Sequence, residues 1–171
     1  IKNISTISNI RKLDKKIMNE KGLSCKCIRC REVKENYDPK EKIHLFKEEY
    51  QASNGKEIFL SFENKERNKL FAFLRLRFPS QIESKKKHFI TVLENSTIIR
   101  ELHTYGQKIP LKKKGSAPKH KWLGKKLIKE AEKITKELEI PKISIISGVG
   151  VREYYRKLGY KLKKDYMVKK I

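Results

Sequence analysis

The stretch Lys142-Ile143-Ser144-Ile145-Ile146-Ser147-Gly148-Val149-Gly150, with Tyr154-Tyr155-Arg156-Lys157-Leu158-Gly159-Tyr160 close behind it, decides the fold. The Ile-rich run reads as a short buried strand. Gly148 and Gly150 turn the chain into a short helix carrying Tyr154, Tyr155 and Leu158, and Gly159-Tyr160 ends that helix. Beyond it, Tyr166 to Ile171 reads as a final strand. Before it, Pro118 to Glu139 gives the strongest helical pattern, with Leu123, Leu127, Ala131, Ile134 and Leu138 on one face and Pro141 as the stop.

Further upstream the pattern is that of strands. Ile43 to Ala52 and Glu57 to Glu63 flank Ser53-Asn54-Gly55, where Asn-Gly between alternating segments signals a hairpin. Asn64 to Asn68 is a second polar turn, and Lys69 to Arg77 makes a third strand with Arg75 and Arg77 on one face. Pro79 to Lys87 reads as a charged loop, and Ser96 to Tyr105 as a fourth strand. Residues 1–24 are polar and basic with a short helical pattern at Ile10, Leu13 and Ile17, which suits a linker or docking helix. The order is a β-meander, a long helix, a strand, a short helix and a strand. That predicts an α+β domain on a mixed, mostly antiparallel sheet flanked by helices.

The whole chain has 171 residues, enough for one domain or at most two. Lys and Arg number 43 against 20 Asp and Glu, a formal charge of +23, which calls for a polyanionic partner. Nucleic acid comes first, then an anionic membrane surface or a phosphorylated cofactor. No apolar run approaches the roughly 18 residues of a membrane span, and no signal peptide is evident. A cytoplasmic protein without a membrane partner is therefore expected. The first residue is Ile, so the chain reads as a piece of a longer protein.

All three cysteines lie in Ser24-Cys25-Lys26-Cys27-Ile28-Arg29-Cys30. An odd number so close together is a poor disulfide framework and a good soft-metal ligand set. Cys25, Cys27 and Cys30 leave one position of a tetrahedral zinc site open, for which His44, His88, His103 and His120 are the candidates. Lys119-His120-Lys121-Trp122-Leu123-Gly124-Lys125 opens the long helix, where unpaired N–H groups, the helix dipole and lysine charge together favour a phosphate.

Tyr154 to Tyr160 resembles the Phe-Tyr-Arg-Lys-Leu-Gly-Phe stretch of the GNAT acetyltransferases. Further stretches occur in one order: Cys27 to Val33, Glu57 to Glu63, Leu74 to Arg77, Arg100 to Gly106 and Ile146 to Gly150. With them, residues 13–171 resemble the C-terminal acetyltransferase half of the Elongator catalytic subunit family in its archaeal single-protein form. The resemblance implies a GNAT fold at residues 37–171, a zinc-binding connector at 25–36, and at 1–24 a link to a radical-SAM domain of the same protein. It implies acetyl-CoA as acyl donor and tRNA as partner, in carboxymethyl-type modification of the wobble uridine. The absent half would carry an iron-sulfur cluster and S-adenosylmethionine.

For individual residues the resemblance implies that Tyr155 protonates the departing coenzyme A thiolate, and that Tyr154 lines the coenzyme channel. Glu101 and His103 sit two apart on one strand face, beside the acetyl group in a GNAT, where either can act as base or orient a water. Residues Lys119 to Lys125 take the pyrophosphate. In the usual Gln/Arg-x-x-Gly-x-Gly pattern, Lys119 stands at the first position, Trp122 replaces the first Gly and Gly124 keeps the second. Family members without the cysteine trio keep the stretch around His103, so His88 competes with His103 as the fourth zinc ligand. The alternatives to this reading are a protein lysine acetyltransferase and a non-catalytic tRNA-binding module.

Overall fold

The computed structural model describes residues 10–34, 41–106 and 122–171. Helix α1 (Ile10–Glu20) carries the expected pattern and leaves Ile10, Leu13 and Ile17 exposed. The four-residue helix α2 (Ile28–Arg31) follows the first two cysteines. Strands β1 (His44–Ala52), β2 (Gly55–Glu63) and β3 (Leu70–Phe78) form the antiparallel meander. The region read as a charged loop contains one short helix, α3 (Ser80–Glu83). Strand β4 (Ser96–Thr104) lies antiparallel to β3.

Helix α4 (Leu123–Glu137) then carries the chain to β5 (Lys142–Ile146), which pairs parallel with β4. Parallel neighbours require such a crossover. Helix α5 (Arg152–Arg156) and the strands β6 (Lys161–Lys163) and β7 (Tyr166–Lys170) complete a seven-stranded sheet in the order β1-β2-β3-β4-β5-β7-β6. This is the mixed, mostly antiparallel sheet with flanking helices that the pattern predicts. Of the helix expected over Pro118 to Glu139, residues 123–137 are helical, and 118–121 lie outside the described residues.

The core is the face of the sheet under α4. Leu123, Leu127, Ile128, Ala131 and Ile134 pack against Ile58, Leu60, Leu74, Leu76, Ile99, Ile143 and Ile145. Two buried hydroxyl pairs are satisfied within the core: Thr97 with Thr135 at 2.8 Å, and Ser96 with Ser144 at 2.7 Å. A smaller cluster of Phe59, Leu70 and Phe73 takes Ile28 of α2 and Tyr105 against it. The connector is thus seated on the sheet, and the Val33 N–H donates to the Leu70 carbonyl at 3.0 Å. Beside it, Glu63 is fully buried and accepts from Arg31 at 2.5 Å and from Ser61 at 2.6 Å, with Arg67 at 3.3 Å.

Arg75 and Arg77, which share one face of β3, are engaged within the sheet. Arg77 donates to the carbonyls of Ala52 and Ser53 at the β1–β2 turn and lies 3.6 Å from the buried Glu57, which also pairs with Arg100. Arg75 lies 3.3 Å from Glu101.

Candidate functional site

The sheet opens where β4 and β5 part. Their pairing covers only Ser96 to Ile99 against Lys142 to Ile145. The β3–β4 register slips at the same level, where Arg75 faces Glu101 but Leu76 faces Ile99. Arg100 is therefore the extra residue of a bulge, which interrupts the ladder and bends the strand. Strand β4 runs on to Thr104 after β5 has ended at Ile146.

The start of α4 closes one side of this opening. A Cβ on the buried Gly124 would meet Thr104 Cγ2 at 3.4 Å, Tyr154 Oη at 3.6 Å and Leu102 Cδ2 at 3.9 Å. The end of β4, the first turn of α4 and Tyr154 of α5 thus converge on a residue with no side chain. The N-cap residue Trp122 makes no side-chain cap to α4, and the first N–H groups of the helix carry the positive end of its dipole. Trp122 precedes the helix with φ +86°, in the left-handed region that glycine favours. Between α4 and α5 lies a cleft of about 220 Å³ lined by Lys125, Lys129, Lys157 and Lys169, with Glu132 among them. Glu132 is held at 3.0 Å by Lys169 and accepts from Tyr160 at 2.9 Å.

The two tyrosines of α5 are placed differently. Tyr155 is only 7% exposed and packs edge-on to Tyr154 and Tyr160. Tyr154 is half-exposed, with its hydroxyl at the Gly124 convergence. Burial raises both phenol pKa values, and for Tyr155 the neighbouring Tyr154 adds to the rise. Both groups keep their proton throughout the neutral range, as a proton donor must.

Glu101 and His103 project from the opposite face of β4 to Leu102. Glu101 lies 3.2 Å from His103 Nε2 and 3.3 Å from Arg75, which forms an Arg–Glu–His line. The His103 ring stacks on Phe73 at 5.2 Å, and Phe73 in turn on Phe59.

The sulfur atoms of Cys25, Cys27 and Cys30 lie within 4.8 Å of one another. Three thiolates at this spacing suit a tetrahedral zinc with sulfur at about 2.3 Å. The Cys27 backbone N–H favours the Cys25 thiolate, but the Cys27 and Cys30 thiols more than offset it and push the Cys25 pKa up. Such crowding is what a dication relieves. Neither expected histidine joins the group. His88 Nδ1 accepts from the Ile90 N–H at 3.0 Å, and His103 faces Glu101.

Over 95% of its length the chain is 47% identical to the tRNA uridine(34) acetyltransferase of Methanocaldococcus jannaschii. It is 39% identical, again over 95% of its length, to Elongator complex protein 3 of Saccharomyces cerevisiae. A solved structure of the archaeal Elp3 of Methanocaldococcus infernus superposes with a TM-score of 0.75 at 41% identity, covering 96% of this chain and 39% of that one. The chain belongs to the Elongator protein 3 family. It spans about a third of the length of these curated relatives, 31% and 30% of the two named. No protein-family model matches it.

For this Elongator-family chain the structure brings Gly124, Tyr154, Leu102 and Thr104 together, and places Leu123 and Lys125 on the same first helical turn. Lys119, His120 and Lys121 lie outside the described residues. Leu102, Thr104 and the β4 bulge were not singled out from the sequence. Their signal exists only in the pairing, because the bulge and the parting of β4 from β5 are long-range features. Among the described residues no helix is long and apolar enough to cross a membrane.

The grouping of the three thiols gives the first expected result. Native mass spectrometry should find one zinc per chain, and a Cys27→Ser substitution should abolish it. A cysteine-substituted chain that still holds one equivalent would show that the metal sits elsewhere.

Proposed function

We propose that this chain is the acetyl-CoA-using acetyltransferase domain of a tRNA wobble-uridine-modifying protein, within carboxymethyl-type modification. The observation that carries the reading is the convergence on Gly124. A helix N-terminus that its N-cap side chain leaves open, the end of a strand that has left its neighbour, and a tyrosine hydroxyl meet around a residue without a side chain. An extended chain ending in a thioester fits such an opening. The first turn of α4 takes the pyrophosphate, with Lys125 and the lysines preceding Trp122 adding charge. Cleaving the thioester breaks its C–S bond, and the leaving thiolate takes a proton from Tyr155. Glu101 and His103 hold or orient a water or nucleophile from the other face of β4, and Arg75 fixes the Glu101 carboxylate. The connector at 25–36 binds zinc through Cys25, Cys27 and Cys30. The relatives named tRNA uridine(34) acetyltransferase support tRNA as the partner, as does the charge of +23. A radical-SAM domain of the same protein makes the carbon–carbon bond.

Trp122 favours one rival, a tRNA-binding module that has lost acetyl-CoA, because a bulky residue stands where close backbone approach to a pyrophosphate asks for glycine. A lysine acetyltransferase is disfavoured, since a +23 surface repels lysine-rich tails. The test is acetyl-CoA binding by the chain, together with acetyl-CoA cleavage by the full-length protein with and without tRNA. Binding plus tRNA-dependent cleavage is expected, and tRNA affinity should fall steeply with salt as lysines release condensed counterions. tRNA binding without any acetyl-CoA binding would leave the rival standing.

A further inference from the structure

Trp122 is the sole tryptophan of the chain, and its setting is unusual in three independent ways. Its backbone sits at φ +86°, where every side chain is strained and glycine is not. Its indole is 66% exposed, although a ring of this size ordinarily buries most of its surface. A cation is already drawn to the ring, with the Lys125 ammonium 5.7 Å from its centroid. Nothing in the core explains the residue, because the buried stripe of α4 begins only at Leu123. Its backbone carbonyl does what any residue's would, accepting from the Lys126 N–H at 2.9 Å.

We infer that Trp122 is a stacking platform for an unpaired RNA base at the rim of the acyl-donor opening, with the exposed Lys126 taking the adjoining phosphate. This rests on the tRNA reading and deepens it. A flat indole presented to water beside ammonium groups matches a flat base joined to a phosphate. The ring precedes by two residues the Gly124 at which β4 and Tyr154 meet. A base stacked there lies next to the opening, so the platform sets which part of the RNA is presented to it.

The single tryptophan makes the test direct, because all indole fluorescence comes from this position. The wild-type chain is titrated with a short single-stranded RNA, with the same backbone carrying abasic sites, and with coenzyme A, while RNA binding is followed separately by anisotropy of labelled RNA. The intact RNA should quench the fluorescence to saturation, and the abasic strand should not. Trp122→Ala should weaken RNA binding by about tenfold or more, with Trp122→Phe in between. The slope of log affinity against log salt should stay the same in both variants, because stacking releases no counterions, whereas Lys126→Ala should lower it by about one. RNA binding without quenching, or unchanged affinity in Trp122→Ala, overturns the platform and leaves the tRNA reading intact. Quenching by coenzyme A but not by RNA overturns it in favour of the cofactor's own adenine. No RNA binding even at low salt overturns both readings.

Discussion

Replacing Tyr155 by Phe should lower tRNA-dependent acetyl-CoA turnover in the full-length protein by about 10²-fold, with acetyl-CoA affinity little changed. The substitution keeps the ring that packs against Tyr154 and Tyr160 and removes only the hydroxyl, so fold and zinc content should survive. Burial, and then Tyr154, raise the phenol pKa. The acid form is present below that pKa and lost above it, so any alkaline fall in rate due to this group lies above the ordinary phenol range. Tyr154→Phe is the matched control. Its hydroxyl reaches the Gly124 convergence, so its loss should raise the KM for acetyl-CoA more than it lowers kcat. The reverse pattern, with Tyr155→Phe turning over like wild type, would move the proton donor to Tyr154.

Local chemistry was legible in the sequence; long-range pairing was not. Most of the α4 stripe reads directly from its spacing, since Leu123, Leu127, Ala131 and Ile134 are buried, whereas Leu138 lies past the last turn and is exposed, and Gly124, Ile128 and Thr135 widen the buried face. The cysteine trio is legible because six positions hold all its members, whereas a fourth ligand depends on where distant loops come to rest. The first hairpin shows the limit of a motif. Asn54-Gly55 reads as the turn, but the turn residues are Ser53 and Asn54, both at positive φ, and Gly55 already pairs with Ala52. Gly55 is needed for closeness instead, because a Cβ there would run into the Phe78 carbonyl oxygen. Strand β6 escaped notice because its three residues are exposed and two are lysines. The partners of Arg75 and Arg77 are not legible, because the acids that hold them, Glu101 and Glu57, are 26 and 20 residues away in sequence and become neighbours only across the sheet.

The same long-range pairing ties the cysteine-bearing connector to the sheet, with a measurable consequence. Arg31 follows Cys30 directly, and its side chain is 13% exposed where it meets Glu63, which has no exposure at all. Arg31→Met keeps much of the volume and removes the charge, leaving a buried carboxylate with Ser61 and the more distant Arg67. Breaking one partner out of such a pair costs about 3 kcal/mol, which for a domain of this size lowers Tm by roughly 10 °C. Glu63→Gln in the Arg31→Met background should recover part of that loss, because the uncompensated charge is gone. Chelating a metal bound by the cysteines should act through the same link: once Cys30 is released, Arg31 is held against Glu63 only through the packing of Ile28 and the Val33 hydrogen bond, and the melting temperature should fall in wild type more than in the double variant. Equal falls in both proteins would show that the cysteine cluster and the Glu63 pair stabilise the fold independently, and an unchanged Tm in Arg31→Met would show that Arg67 alone compensates Glu63.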